Sequence, residues 1–182
     1  MESSTPTVKL NFPTILTLSR VFVIPVFLYI APDYPVAGAS IFALASMTDW
    51  LDGYLARKTG SITKFGIIMD PIADKFLVIS AILLLVNMDR LSMWIAAALI
   101  LREFLVTALR VVALSKGMIM PAEMGGKVKT VFQFIAIVSL LLSGRLLGLD
   151  LYDLGTVLMW VALALSVFSG VKYTLSFRRH SV

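Results

Sequence analysis

Four aspartates stand at fixed spacing in two stretches, Asp49-Trp50-Leu51-Asp52-Gly53-Tyr54-Leu55-Ala56-Arg57 and Gly66-Ile67-Ile68-Met69-Asp70-Pro71-Ile72-Ala73-Asp74. On helices, Asp49 and Asp52 are three apart and Asp70 and Asp74 four apart, so each pair shares one face, and two such helices facing each other gather all four. An unpaired ionised group at the centre of an apolar span costs roughly 2.5–3.5 kcal/mol or more. A compensating charge is therefore required, and two divalent cations balance four carboxylates. The chain has no cysteine, and its one histidine, His180, lies in the polar C-terminal tail, so hard oxygen ligands favour Mg²⁺ or Mn²⁺ over Zn²⁺. Two ions bridged by carboxylates suit displacement at phosphorus.

The neighbouring residues fit a phosphate-bearing ligand. Gly53 and Ala56 are small, on or beside the acidic face, and let a ligand approach the backbone. Arg57, one turn beyond Gly53, offers a bidentate fork for phosphate. Gly66 opens the second helix, where free backbone N–H groups favour an anion. Pro71 is tolerated near a helix start and otherwise marks a kink.

The elements that position these residues are membrane helices. Of 182 residues, 59% are hydrophobic and 15% charged, and the mean hydropathy of +0.92 lies outside the range of soluble domains. About six spans of ~20 residues use up the chain as a single domain over residues 1–182. The apolar runs place them near Ile15–Ala31, Val36–Leu55, Gly66–Met88, Met93–Leu114, Thr130–Ser143 and Leu154–Phe177. Residues 1–13 form a polar N-terminal segment without a cleavable signal pattern. Lys9, Arg57, Lys58, Lys64, Lys116, Lys127, Lys129, Arg178 and Arg179 fall on one set of span ends, and Arg90 and Arg145 on the other. The positive-inside rule then places both termini in the cytoplasm. The basic residues rim a membrane face and belong to no nucleic-acid-binding fold, so anionic headgroups and phosphates are the expected partners.

Asp-x-x-Asp-Gly-x-x-Ala-Arg, eight residues, then Gly-x-x-x-Asp-x-x-x-Asp resembles the signature of the CDP-alcohol phosphatidyltransferase family, and all eight signature positions match. The resemblance implies an all-α integral membrane enzyme, six transmembrane helices enclosing a polar metal-binding cavity open to the cytoplasm, usually a homodimer. It implies transfer of a phosphatidyl group from CDP-diacylglycerol to an alcohol with release of CMP. It assigns Asp49, Asp52 and Asp70 as metal ligands and Asp74 as both ligand and general base. A short chain without a transit peptide points to a bacterial plasma membrane.

The acceptor is read from other segments. Asn11-Phe12-Pro13-Thr14-Ile15-Leu16-Thr17-Leu18-Ser19-Arg20, Leu101-Arg102-Glu103-Phe104-Leu105-Val106-Thr107-Ala108-Leu109-Arg110 and Gly125-Gly126-Lys127-Val128-Lys129-Thr130 are similar to segments of the bacterial members that use sn-glycerol 3-phosphate. A phosphorylated acceptor carries about two negative charges, and Arg110, Lys127 and Lys129 supply cations at the ends of the fourth and fifth spans where a water-soluble substrate enters. Inositol phosphate, serine and phosphatidylglycerol are the alternative acceptors. Asn11, Pro13 and Thr14 read by themselves as the cap and first turn of the first span; the family comparison makes them candidates for the donor's cytidine end.

Plainer readings stand beside these. Intramembrane carboxylates also build proton or cation pathways in transporters. Lys127 and Lys129 also fit a basic cytoplasmic loop. Arg102 and Glu103, deep in the fourth span, face the interior and either form a structural ion pair or contact substrate. Lys75 follows Asp74 but lies ~100° around the helix from it. Trp50, Trp94 and Trp160 read as interface or packing residues.

Overall fold

The computed structural model describes residues 22–59, 64–115, 124–146 and 148–180, with side chains described at 22–48, 75–109, 111–113, 128–146 and 148–175. Among the described residues there are six helices: α1 (residues 22–30), α2 (Pro35–Thr59), α3 (Lys64–Asn87), α4 (Met93–Ser115), α5 (Met124–Leu142) and α6 (Leu151–His180). Strands β1 (Arg145–Leu146) and β2 (Leu149–Asp150) form an antiparallel hairpin between α5 and α6. The chain divides into two compact units, Met1–Ser80 and Ala81–Val182, with the boundary inside α3.

In the first unit, α1 and α2 form a tight helical hairpin. The Tyr34 N–H donates to Ile30 O at 2.9 Å and the Gly38 N–H to Tyr34 O at 2.9 Å, and Pro35 occupies the first helical position of α2, where its missing N–H has no intrahelical partner to lose. Gly38 is required by this approach: a Cβ there would collide with the Ala31 side chain and lie 2.7 Å from Ala31 Cα. The buried Phe27 and Phe42 rings pack at 5.9 Å between centroids, tilted by 39°.

In the second unit, α5 and α6 pack along Ala136, Ile137, Leu140, Leu141, Met159 and Ala162, all fully buried. A Cβ on Gly155 would stand 3.0 Å from Leu140 N, so the two backbones approach closely, as small residues permit between membrane helices. The α5 C-terminus is closed from a distance: Arg90 Nη1 donates to Leu140 O at 3.2 Å and Leu141 O at 2.5 Å, satisfying carbonyls that the helix cannot pair itself. Asp150 Oδ1 accepts from the N–H groups of Tyr152 at 2.9 Å and Asp153 at 3.4 Å, the N-cap of α6.

The break expected between Ser115 and Lys129 is shorter than the composition suggests. α5 begins at Met124, so Gly125 and Gly126 lie in its first turn, where glycine costs least. The break from Ser143 to Asp153 contains the hairpin, with Gly148 at φ 82° between the two strands, a positive φ of the kind that tight hairpin turns demand. A cross-strand pairing of two residues leaves no periodicity to read.

Among the described residues one segment, Leu151–Leu175 of α6, is long and apolar enough to cross a membrane uninterrupted, with mean hydropathy 2.0. α2, α3 and α5 carry shorter apolar stretches, Pro35–Thr48, Lys75–Asn87 and Val128–Leu142. Beyond these stretches the same helices carry charged residues: Asp49 to Lys58 in α2, Asp70 and Asp74 in α3, Lys127 in α5. Ionisable residues inside membrane helices mark function rather than anchoring. The outer faces are strongly apolar, with Phe22, Tyr29, Trp94, Phe104, Trp160 and Phe168 all exposed, as a lipid-facing surface requires.

Candidate active site

The helices set the acidic residues by register. In α2, Phe42 marks the buried face; at 3.6 residues per turn Asp49 lies about 20° from it, Gly53 about 20° and Ala56 about 40°. The same face that packs near the α1 turn therefore passes down the helix onto the first acidic segment. In α3, Leu77, Ala81, Leu84 and Leu85 are buried. Asp70 lies about 20° from Leu77 and Asp74 about 60°, to either side of the Ala81 position. Asp49, Asp70 and Asp74 thus fall in register with the buried faces of their own helices, Asp52 lies about 80° from Phe42, and Pro71 is the eighth residue of α3.

The side chains of Asp49, Asp52, Gly53, Ala56, Arg57, Gly66, Asp70, Asp74, Arg110 and Lys127 lie outside the described residues, as do Asn11, Pro13 and Thr14 entirely. The donor set fits hard divalent cations: four carboxylates and no sulfur, spaced at i,i+3 and i,i+4 on consecutive helices α2 and α3. Among the described residues no cluster of three or more His, Cys, Asp or Glu could hold a metal.

The second unit contains a buried ionic network that joins α4, α5 and α6. Arg102 donates from Nε to Ser166 O at 2.8 Å, from Nη2 to Ser169 Oγ at 2.5 Å and from Nη1 to Glu103 Oε1 at 3.1 Å. Glu103 Oε1 also receives Lys129 Nζ. Lys129 is 4% exposed. Of the acceptor cations expected from sequence, Lys129 is the one with a described side chain, and the structure carries it to Glu103 in the interior. Arg102 and Glu103 face inward as expected, paired with each other and with neighbouring helices. Lys75 is half-buried and engaged in an interaction; Trp94 and Trp160 are exposed, in keeping with interface positions.

Three buried polar atoms near this network have no hydrogen-bond partner among the described residues: Gln133 Nε2, Ser166 Oγ and Tyr173 OH. Gln133 follows Lys129 by one turn on α5, and Tyr173 follows Ser169 by one turn on α6. Sequence reading passed over Gln133, Ser166, Ser169 and Tyr173. Their signal was spacing: polar residues at i,i+4 in α5 and at i,i+3,i+7 in α6 line one stripe of otherwise apolar helices.

The profile of the CDP-alcohol phosphatidyltransferase family matches residues 10–168. The chain belongs to the CDP-alcohol phosphatidyltransferase family, a class of membrane-associated transferases, and is an enzyme of that kind. It is similar to the CDP-diacylglycerol–glycerol-3-phosphate 3-phosphatidyltransferase of Bacillus subtilis, 39% identical over 179 residues, covering 90% of this chain and 93% of the relative. The proteins of the same name in Rickettsia felis, 37% identical with 90% and 93% covered, and Shigella flexneri, 38% identical with 91% and 93% covered, are similar along the same length.

Proposed function

We propose that this protein transfers the phosphatidyl group of CDP-diacylglycerol to sn-glycerol 3-phosphate, giving phosphatidylglycerophosphate and CMP. The observation that carries the reading is the complete eight-position signature in a chain similar, over about nine-tenths of its length, to enzymes named for that reaction. The fold is read as six transmembrane helices around a polar cavity open to the cytoplasm, with both termini cytoplasmic, in a bacterial plasma membrane and as a homodimer.

Two divalent cations, Mg²⁺ or Mn²⁺, held by Asp49, Asp52, Asp70 and Asp74, would supply charge neutralisation for the pyrophosphate and its transition state. Arg57 grips a donor phosphate, Gly53, Ala56 and Gly66 leave room for the donor's backbone contacts, and Asn11, Pro13 and Thr14 hold the cytidine end. Arg110, Lys127 and Lys129 bind the acceptor's phosphate. Asp74 takes the proton from the 1-hydroxyl of glycerol 3-phosphate. That oxygen forms a bond to the phosphorus bearing the diacylglycerol, the P–O bond to CMP breaks, and CMP leaves with the electron pair.

Purified protein in detergent with CDP-diacylglycerol and Mg²⁺ or Mn²⁺ is the test, with CMP release measured against glycerol 3-phosphate, inositol 1-phosphate, serine and phosphatidylglycerol. Release that depends on glycerol 3-phosphate and stops with a chelator is the expected result. Release driven by another acceptor overturns the substrate assignment.

A further inference from the structure

We infer that Glu103 is a positioning residue for acceptor recognition: its carboxylate, itself fixed by Arg102, holds the Lys129 ammonium where the acceptor's phosphate binds. The inference rests on the reading of Lys129 as an acceptor-phosphate residue.

A chain of directional contacts runs from α6 to α5. The Arg102 guanidinium is planar, and three of its nitrogens are each committed: Nε to the Ser166 carbonyl, Nη2 to the Ser169 hydroxyl, Nη1 to Glu103. A fork anchored at two points on α6 leaves its third edge little freedom, so the Glu103 oxygen it touches is fixed in turn. Thr107 Oγ1 donates to the Glu103 carbonyl at 2.6 Å, which ties down the same turn of α4. The same Glu103 oxygen then receives Lys129 Nζ. Lysine carries one of the most flexible side chains, and ordering it is costly. Here the ordering is built into the protein before any ligand arrives, which is how a site gains affinity without new contacts.

A second observation points to a ligand at this level of the bundle. Arg102 reaches Ser166 and Ser169 on α6 while Glu103 reaches Lys129 on α5, which brings these residues together. Gln133 Nε2, one turn along the same stripe of α5, is a donor 4% exposed as a residue and without an acceptor among the described residues. Tyr173 OH, buried one turn beyond Ser169, is likewise without a partner there. Buried polar groups are nearly always paired, and a small phosphorylated polyol offers acceptor oxygens of the kind these groups lack. An ion pair serving packing alone has no need of unsatisfied donors beside it.

The test is steady-state CMP release by the full-length protein in lipid nanodiscs, for Glu103→Gln, Glu103→Asp, Lys129→Met and the Glu103→Gln/Lys129→Met double variant, with thermal stability measured alongside. Glu103→Gln is expected to raise the KM for glycerol 3-phosphate about ten-fold, the usual order for losing a charge-assisted hydrogen bond, while kcat and the KM for CDP-diacylglycerol move by less than about two-fold. Glu103→Asp recovers most of the loss, and the double variant is no worse than Lys129→Met, since the carboxylate acts through the lysine. A Glu103→Gln variant that melts earlier with an unchanged acceptor KM overturns the inference, as does a double variant whose effects multiply. If Glu103→Gln does not fold, Glu103→Met, uncharged and of similar size, gives the same readout, and an unchanged acceptor KM there also overturns it. Should Lys129→Met leave the acceptor KM unchanged, the acceptor-site reading of Lys129 falls and the positioning role with it. If Lys129→Met raises that KM and neither Glu103 variant does, only the positioning role falls.

Discussion

At the scale of single residues, the proposed chemistry is concentrated in a few carboxylates and their cationic neighbours. Asp74→Asn keeps the size of the side chain and removes the proton acceptor, so turnover is expected to fall by about 10²–10⁴-fold or more while the protein still binds CDP-diacylglycerol; paired turnover and donor-binding measurements check it, and normal turnover defeats the assignment. Arg90→Ala leaves the carbonyls of Leu140 and Leu141 without their shared donor. The loss is expected to lower stability by about 1.5–3 kcal/mol, read as an earlier thermal transition in detergent with the KM for both substrates unaltered. The aspartates and Arg57 were legible in the sequence because their spacing is a pattern in itself. Gln133, Ser166, Ser169 and Tyr173 were not, because single polar residues in apolar runs acquire meaning only when the fold shows what surrounds them.

At the scale of elements, close backbone approach is what lets these helices carry polar interiors. Gly155 sits against the Leu140 backbone, and Gly155→Val is expected to force α5 and α6 apart, costing about 1–3 kcal/mol and weakening the contact of Arg102 with α6. A chemical-denaturation curve in mixed micelles measures it, and an unchanged midpoint counts against the close packing. Helix positions were readable from hydropathy to within a few residues, with α3 expected at Gly66–Met88 and found at Lys64–Asn87, and α4 expected at Met93–Leu114 and found at Met93–Ser115. The early start of α5 was hidden because Gly125-Gly126 reads as a loop, whereas a helix N-terminus whose N–H groups need no intrahelical partner accepts glycine readily. The β1–β2 hairpin was hidden for a related reason, since four paired residues are too few to show alternation.

At the scale of the whole molecule, the chain belongs to a family of membrane-associated transferases, and its described helices carry large exposed apolar side chains. The proposed topology makes a direct prediction, helped by the absence of native cysteine. Leu149→Cys, in the exposed hairpin, should react with a membrane-impermeant maleimide added outside intact cells, and Lys58→Cys only after permeabilisation; the reverse pattern would invert the orientation. The hairpin also bears on how the chain enters the bilayer. Its register sets Arg145 across from Asp150, so the segment that the proposed topology carries to the far side presents a cation opposite an anion. Its short backbone is already partly paired, and Asp150 already caps the helix that follows. In the proposed topology α5 and α6 can therefore leave the translocation machinery together as one folded-back unit, with the turn between them already closed.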